Sequence, residues 1–172
     1  KYIRLKPKNY FYSNKKKLPH LKSLLMFGAP VQTRVHSLFK KILPQAETYT
    51  PYGATECLPV SNINGSQIIN ETQKQTKVGA GTCIGKALGE TKVKIIGLNS
   101  NSFEEKKAFE VGELIISAKQ MSKRYFLNEQ ANIESKLIHP KDQSLWHRMG
   151  DLAYKDADNN LWFCGRKAHC FK

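Results

Sequence analysis

Three short stretches of this sequence bring together side chains able to do chemistry. TPYGATE, residues 50–56, offers an aromatic ring at Tyr52, a chain turn at Gly53, a hydroxyl at Thr55 and a carboxylate at Glu56. A carboxylate oxygen is a hard ligand that suits Mg2+ far better than sulfur would. LWHRMGDL, residues 145–152, adds a second carboxylate at Asp151, and CGRKAH, residues 164–169, adds the guanidinium of Arg166. An ionised Asp accepts hydrogen bonds and donates none, which matches a pair of hydroxyls. Each residue taken singly has a plainer use: Tyr52 in a core, Glu56 as a surface acid, Asp151 in a turn, Arg166 on a hairpin.

Glu56 stands out because of the charge around it. Of the 172 residues, 28 are Lys or Arg and 14 are Asp or Glu, a net charge of +14. No acid precedes Glu47, while Lys1, Arg4, Lys6, Lys8, Lys15, Lys16 and Lys17 crowd the start. Such a start can mark a nucleic-acid or anionic-membrane partner. Lys far outnumbers Arg, however, and Arg is the residue that grips phosphate bidentately and reads bases. Aromatics interleave with the Lys residues only at Tyr2, Tyr10, Phe11 and Tyr12. A solvated Lys-rich surface is therefore favoured; a non-catalytic basic module that binds nucleic acid or a membrane surface stays as the alternative, with weak membrane-surface association as an expectation.

No run approaches the roughly 20 apolar residues of a membrane span, and no apolar stretch follows the basic start as a signal peptide requires. Cys57, Cys83, Cys164 and Cys170 show no CxxC spacing, so reduced thiols and a cytoplasmic location are expected. Cys164, His169 and Cys170 could supply three metal ligands, but a fourth is missing.

The elements that must position these groups divide into two kinds. Residues 22–27 (KSLLMF) read as a short buried strand ending at Gly28-Ala29-Pro30. Val31, Val35, Leu38, Phe39 and Ile42 then fall at helical spacing, Pro44 closes the helix, and residues 47–50 run extended into Pro51-Tyr52-Gly53. This is the strand–helix–strand unit of an α/β sheet, where ligands bind at the C-terminal ends of the strands. Further on, KVKII (92–96) and ELIIS (113–117) read as strands, residues 151–155 and 161–164 as a hairpin, and 120–128 as a short helix. The stretch VGAGTCIGKALG (78–89) imitates a dinucleotide fingerprint. No buried strand precedes it, so glycine turns entering a strand are expected there instead. The fold class expected is α/β (α+β): the end of an α/β lobe over residues 1–75, a small antiparallel β subdomain over 76–164, and a hinge at 165–172.

In order and spacing, FGAP, TPYGATE, GEL, LWHRMGDL and CGRKAH resemble the motifs of the adenylate-forming (acyl-AMP) superfamily, the AMP-dependent synthetases and ligases. The resemblance runs from about residue 18 to 172. It implies that Gly28, Ala29 and Pro30 lie against adenine and that Tyr52, with Gly53 beside it, stacks on the ring. It also implies that Thr55 contacts phosphate, that Glu56 holds Mg2+, and that Asp151 accepts both ribose hydroxyls with Arg166 beside it. ATP or AMP and Mg2+ follow as cofactors, with coenzyme A as a candidate acceptor. On this view Glu56 has no acidic neighbours because it serves a metal and not another residue.

The same stretches look most like the fatty acyl-activating branch, which includes the β-lactone synthetases of olefin biosynthesis. The resemblance thus implies a fatty acid–CoA ligase type of activity on a long-chain acid, or ring closure of a β-hydroxy fatty acid. Small residues at Gly53 and Ala54 leave room for a long acyl tail. The family's Gly/Ser/Thr/Lys-rich phosphate loop is not found in these residues, nor is its lid lysine. The chain therefore reads as a piece of a longer enzyme, inactive alone and partnered by the rest of it. Ala168 stands where the family often has a hinge Asp, and Met149 where Thr is common.

Overall fold

Two sheets make up the protein, described for Leu18 and residues 20–169 in a computed structural model. The basic N-terminal cluster and Cys170 lie outside the described residues. The smaller sheet pairs β1 (Ser23–Leu25) in parallel with β2 (Glu47–Tyr49), and α1 (Thr33–Ile42) connects them. The predicted strand–helix–strand order is therefore present. Lys40 and Lys41 occupy the last turn of α1, where cations oppose the helix dipole. Pro44 follows, with no N–H to extend the hydrogen-bond ladder. The expected burial of β1 is not observed: Leu25 and Phe27 are exposed. Among the described residues only β2 flanks this strand, and Leu24 is half-buried while Leu25 stays exposed.

The larger sheet is antiparallel throughout. It contains β3 (Tyr52–Ala54), β4 (Cys57–Asn62), β5 (Thr82–Ala87), β6 (Lys92–Ile96), β7 (Gly112–Ser117), β8 (Lys136–Ile138), β9 (Leu145–Lys155) and β10 (Leu161–Arg166). Their order is β3-β4-β5-β10-β9-β7-β6, with β8 also on β9. The chain passes from one sheet to the other at Thr50 and Pro51, so Tyr52 opens the larger sheet. Residue 75 falls inside a helical connection between β4 and β5, made of α2 (Gly65–Gln67), a π-helical turn (Ile68–Thr72) and α3 (Gln73–Lys77).

The run ELIIS is apolar at consecutive positions because β7 is covered on both faces. Leu114 and Ile116 pack with Val60, Ile84, Ile95 and Leu161 on one side, and Ile115 with Ile96 and Trp146 on the other. Each such side chain contributes about 1.5–3 kcal/mol on burial, which anchors β9 beside it. The glycines of residues 78–89 make turns as expected, with φ +92° at Gly79 and +90° at Gly81, and lead into β5.

The expected helix over 120–128 is absent. The stretch is a loop, and the helix α4 (Glu129–Ser135) starts after it. Asn128 is its N-cap, with its side-chain oxygen accepting from the Ala131 N–H at 3.1 Å.

Candidate functional site

Parallel-strand ends and the first hairpin of the larger sheet face each other across a cleft of about 410 Å³. Gly28, Ala29 and Pro30, from the loop after β1, form one wall; Thr50, Tyr52 and Gly53 lead into the other. Thr82, Ile84 and Phe163 extend the apolar side, and Asp151 and Arg166 also line it. Seven residues singled out in the sequence thus line one cavity: Gly28, Ala29, Pro30, Tyr52, Gly53, Asp151 and Arg166.

Local backbone features place them. Gly28 takes φ +99°, a conformation that side-chain-bearing residues rarely adopt. At Gly53 a Cβ would sit 2.5 Å from the Cys57 carbonyl oxygen, so the hairpin itself demands glycine there. In β10 the register slips by one residue: Phe163 pairs with Ala153, yet Gly165 pairs with Leu152. That bulge sets Arg166 opposite Asp151; without the extra residue, Gly165 would occupy that position.

Asp151 is 4% exposed and has two partners. The Tyr52 hydroxyl donates to its Oδ2 in a short hydrogen bond, and Arg166 Nη1 donates to Oδ1 at 2.9 Å. The Arg166 side chain is half exposed and also reaches the Met149 carbonyl. Burial, followed by the Asp151 charge, pushes the Tyr52 phenol well above its ordinary range, so Tyr52 remains a protonated donor. A carboxylate has roughly four acceptor sites; two are used, which leaves capacity for a ligand bearing hydroxyls. The Tyr52 ring, fixed through its hydroxyl, lies 6.5 Å from that of Phe163 at 44°.

Thr55 and Glu56 are elsewhere: they form the two-residue turn between Ala54 and Cys57, which pair across the β3–β4 hairpin. Thr55 is exposed, and neither residue lines the cleft. The expectation that Glu56 serves no other residue is corrected. Its carboxylate Oε1 accepts from the Tyr125 hydroxyl at 2.6 Å, and its backbone carbonyl from the Ser122 N–H at 2.7 Å. The Tyr125 hydrogen bond holds the Glu56 carboxyl below its usual range, with His147 and Lys136 adding to the effect and burial opposing it.

Among the described residues no three His, Cys, Asp or Glu side chains cluster to hold a metal. One carboxylate with phosphate and water oxygens is nonetheless the ligand set Mg2+ commonly takes, so Glu56 fits that ion. Sequence reasoning missed Phe163, Tyr125, Lys136 and His147. Phe163 was legible only as a strand residue, and Tyr125 fell in the stretch expected to be helical.

A family model described as AMP-binding enzyme matches residues 3–126. An olefin beta-lactone synthetase of Xanthomonas campestris pv. campestris is 37% identical over 162 residues, which cover 88% of this chain and 29% of that protein. The chain therefore spans about three-tenths of the length of the curated relatives it matches. The crystal structure of CmiS6 superposes with a TM-score of 0.72 at 23% identity, covering 85% of this chain and 34% of that one. O-succinylbenzoate coenzyme A synthetase from Bacillus subtilis, in complex with ATP and magnesium ion, gives 0.65 at 22% identity, covering 87% and 27%. The mixed α/β architecture with a mostly antiparallel sheet is common to this chain and these structures.

Proposed function

The chain belongs to the AMP-binding enzyme family, and from that premise we propose that it carries the adenosine-holding part of an ATP-dependent, AMP-forming acyl-activating enzyme. The observation behind this reading is the buried Asp151 with spare acceptor capacity, braced by Tyr52 and Arg166 at a cleft walled by residues 28–30. Adenine lies between the 28–30 backbone and the Tyr52 ring. The ribose hydroxyls donate to Asp151, and Arg166 offsets its charge. The hairpin turn lies beyond the cleft, and there Thr55 would donate a hydrogen bond to the phosphates and Glu56 would hold Mg2+. That ion would supply charge neutralisation to the phosphates.

In the reaction, the carboxylate of a long-chain acid attacks the α-phosphorus, the bond to pyrophosphate breaks, and acyl-AMP forms. The chain's contribution is placement: it orients the nucleotide and excludes water from one side of it. Residues 1–75 then end the nucleotide lobe, 76–164 form the subdomain that brings Asp151, and 165–172 carry Arg166 and lead to a hinge.

Two fates for the acyl group remain: transfer to the thiol of coenzyme A, or attack by the acid's own β-hydroxyl to close a β-lactone. The 37% identity to an olefin beta-lactone synthetase favours the second. A chimera tests the function, with this chain replacing the matching segment of that Xanthomonas protein. The expected result is AMP release dependent on a long-chain 3-hydroxy acid, abolished by Glu56→Gln in a chimera that still folds cooperatively. A chimera that folds cooperatively and releases no AMP would overturn the proposal.

A further inference from the structure

Glu56 is held by a segment that the cleft does not use. The loop carrying Tyr125 is fixed from α4: the Asn132 side chain accepts from the Tyr125 N–H at 2.6 Å and donates to the Tyr125 carbonyl at 3.1 Å. With its backbone clamped on both sides, Tyr125 presents its hydroxyl to Glu56 Oε1 at 2.6 Å. A neighbouring cation is occupied elsewhere. Lys136 Nζ donates to the Ser122 carbonyl at 2.6 Å and the Ser122 hydroxyl at 3.3 Å, and sits 5.6 Å over the Tyr125 ring. The ion pairs among the described residues do not include Glu56. Across the sheet from Lys136 lies His147, 3% exposed, its ring edge-on to Tyr125 at 6.3 Å and its Nδ1 without a hydrogen-bond partner.

This arrangement gives an acid a neutral donor and denies it a cationic one. An ammonium on the carboxylate would cancel most of its charge and compete with any metal, whereas a phenol O–H orients one oxygen and leaves the anion intact. Ser122 is central to this, because it binds Glu56 through its N–H and Lys136 through its carbonyl and hydroxyl.

We propose that Tyr125 is a positioning residue for Glu56: its hydroxyl fixes one carboxylate oxygen and leaves the other for the cation that accompanies the nucleotide phosphates, while Ser122 keeps Lys136 from neutralising the acid. The inference rests on the proposed metal role of Glu56. It assigns that site's support to the loop after β7, on a different part of the chain from the hairpin that bears the ligand.

The test uses Mn2+ with α,β-methylene-ATP and reads paramagnetic broadening of the backbone amides of residues 54–57 by NMR. In the parent chain these amides should broaden in a saturable way. Tyr125→Phe should raise the Mn2+ concentration for half-broadening about tenfold, while metal-free AMP affinity stays within about twofold. Asn132→Ala, which frees Tyr125 but keeps its hydroxyl, should shift it about threefold and serves if Tyr125→Phe folds poorly. Parent broadening that neither variant alters would overturn the positioning role and leave the metal reading standing. Absence of broadening in the parent would overturn both.

Discussion

Removing the Tyr52 hydroxyl alone should measurably loosen the whole protein. Tyr52→Phe keeps the ring and deletes one donor to a carboxylate that is 4% exposed. A hydrogen bond to a charged group is worth about 1.5–3 kcal/mol. The remaining partner, Arg166, has a side chain 53% exposed, so its pairing with Asp151 contributes at most about 1 kcal/mol after solvent screening. The expected destabilisation is therefore about 2 kcal/mol, a fall in Tm of roughly 4–8 °C for a domain of this size. Asp151→Asn should cost a similar amount, and the double variant clearly less than the sum, because both changes break the same contact. Thermal and urea melts followed by circular dichroism and by the fluorescence of the buried Trp146 and Trp162 give these values. A Tyr52→Phe cost under about 0.5 kcal/mol, or strictly additive costs, would refute the claim that this hydroxyl braces Asp151.

Two other outcomes follow from the smaller sheet. His36 is fully buried, with Nδ1 bonded to Thr48 Oγ1 at 2.8 Å and Nε2 without a partner; burial lowers its pKa. Its folded pKa lies below the unfolded value of about 6.5, so the unfolded chain binds the extra proton. Stability should be full above pH 6.5 and fall as pH drops below it, and melts of His36→Asn at pH 7.5 and 5.5 should show a smaller difference than the parent. Gly65→Ala should destabilise by about 2–3 kcal/mol, because the added Cβ would lie 2.0 Å from Thr48 Oγ1 and 2.7 Å from His36 Nδ1. A cost under about 0.5 kcal/mol in a urea melt would contradict that packing.

What could be read from the sequence was what local rules determine. The spacing of Val31 to Ile42 with Pro44 gave α1, the run KVKII gave β6, and the turn at 156–160 joined β9 to β10. The seven residues that share the cleft were singled out by the resemblance of their motifs, in order and spacing, to those of the adenylate-forming superfamily. Features that depend on distant partners were not legible. The exposure of Leu25 and Phe27 reflects what lies beside β1, which no periodicity encodes. The loop at 120–128 is held by Asn132 and Glu56, 7 and 69 residues from Tyr125 in sequence, and those contacts override its helical composition. The bulge that sets Arg166 against Asp151 is one residue of register, below the resolution of pattern reading.

Amide NMR of this chain titrated with AMP tests the account most directly. Saturable shifts should appear together at residues 28–30, 52–53, 151 and 166, and 2′-deoxy-AMP should need at least about tenfold more ligand, as expected when one charge-assisted hydrogen bond to Asp151 is lost. Shifts confined to other surfaces, or equal titration by the two nucleotides, would contradict the assignment of Asp151 to the ribose and of this cleft to adenosine.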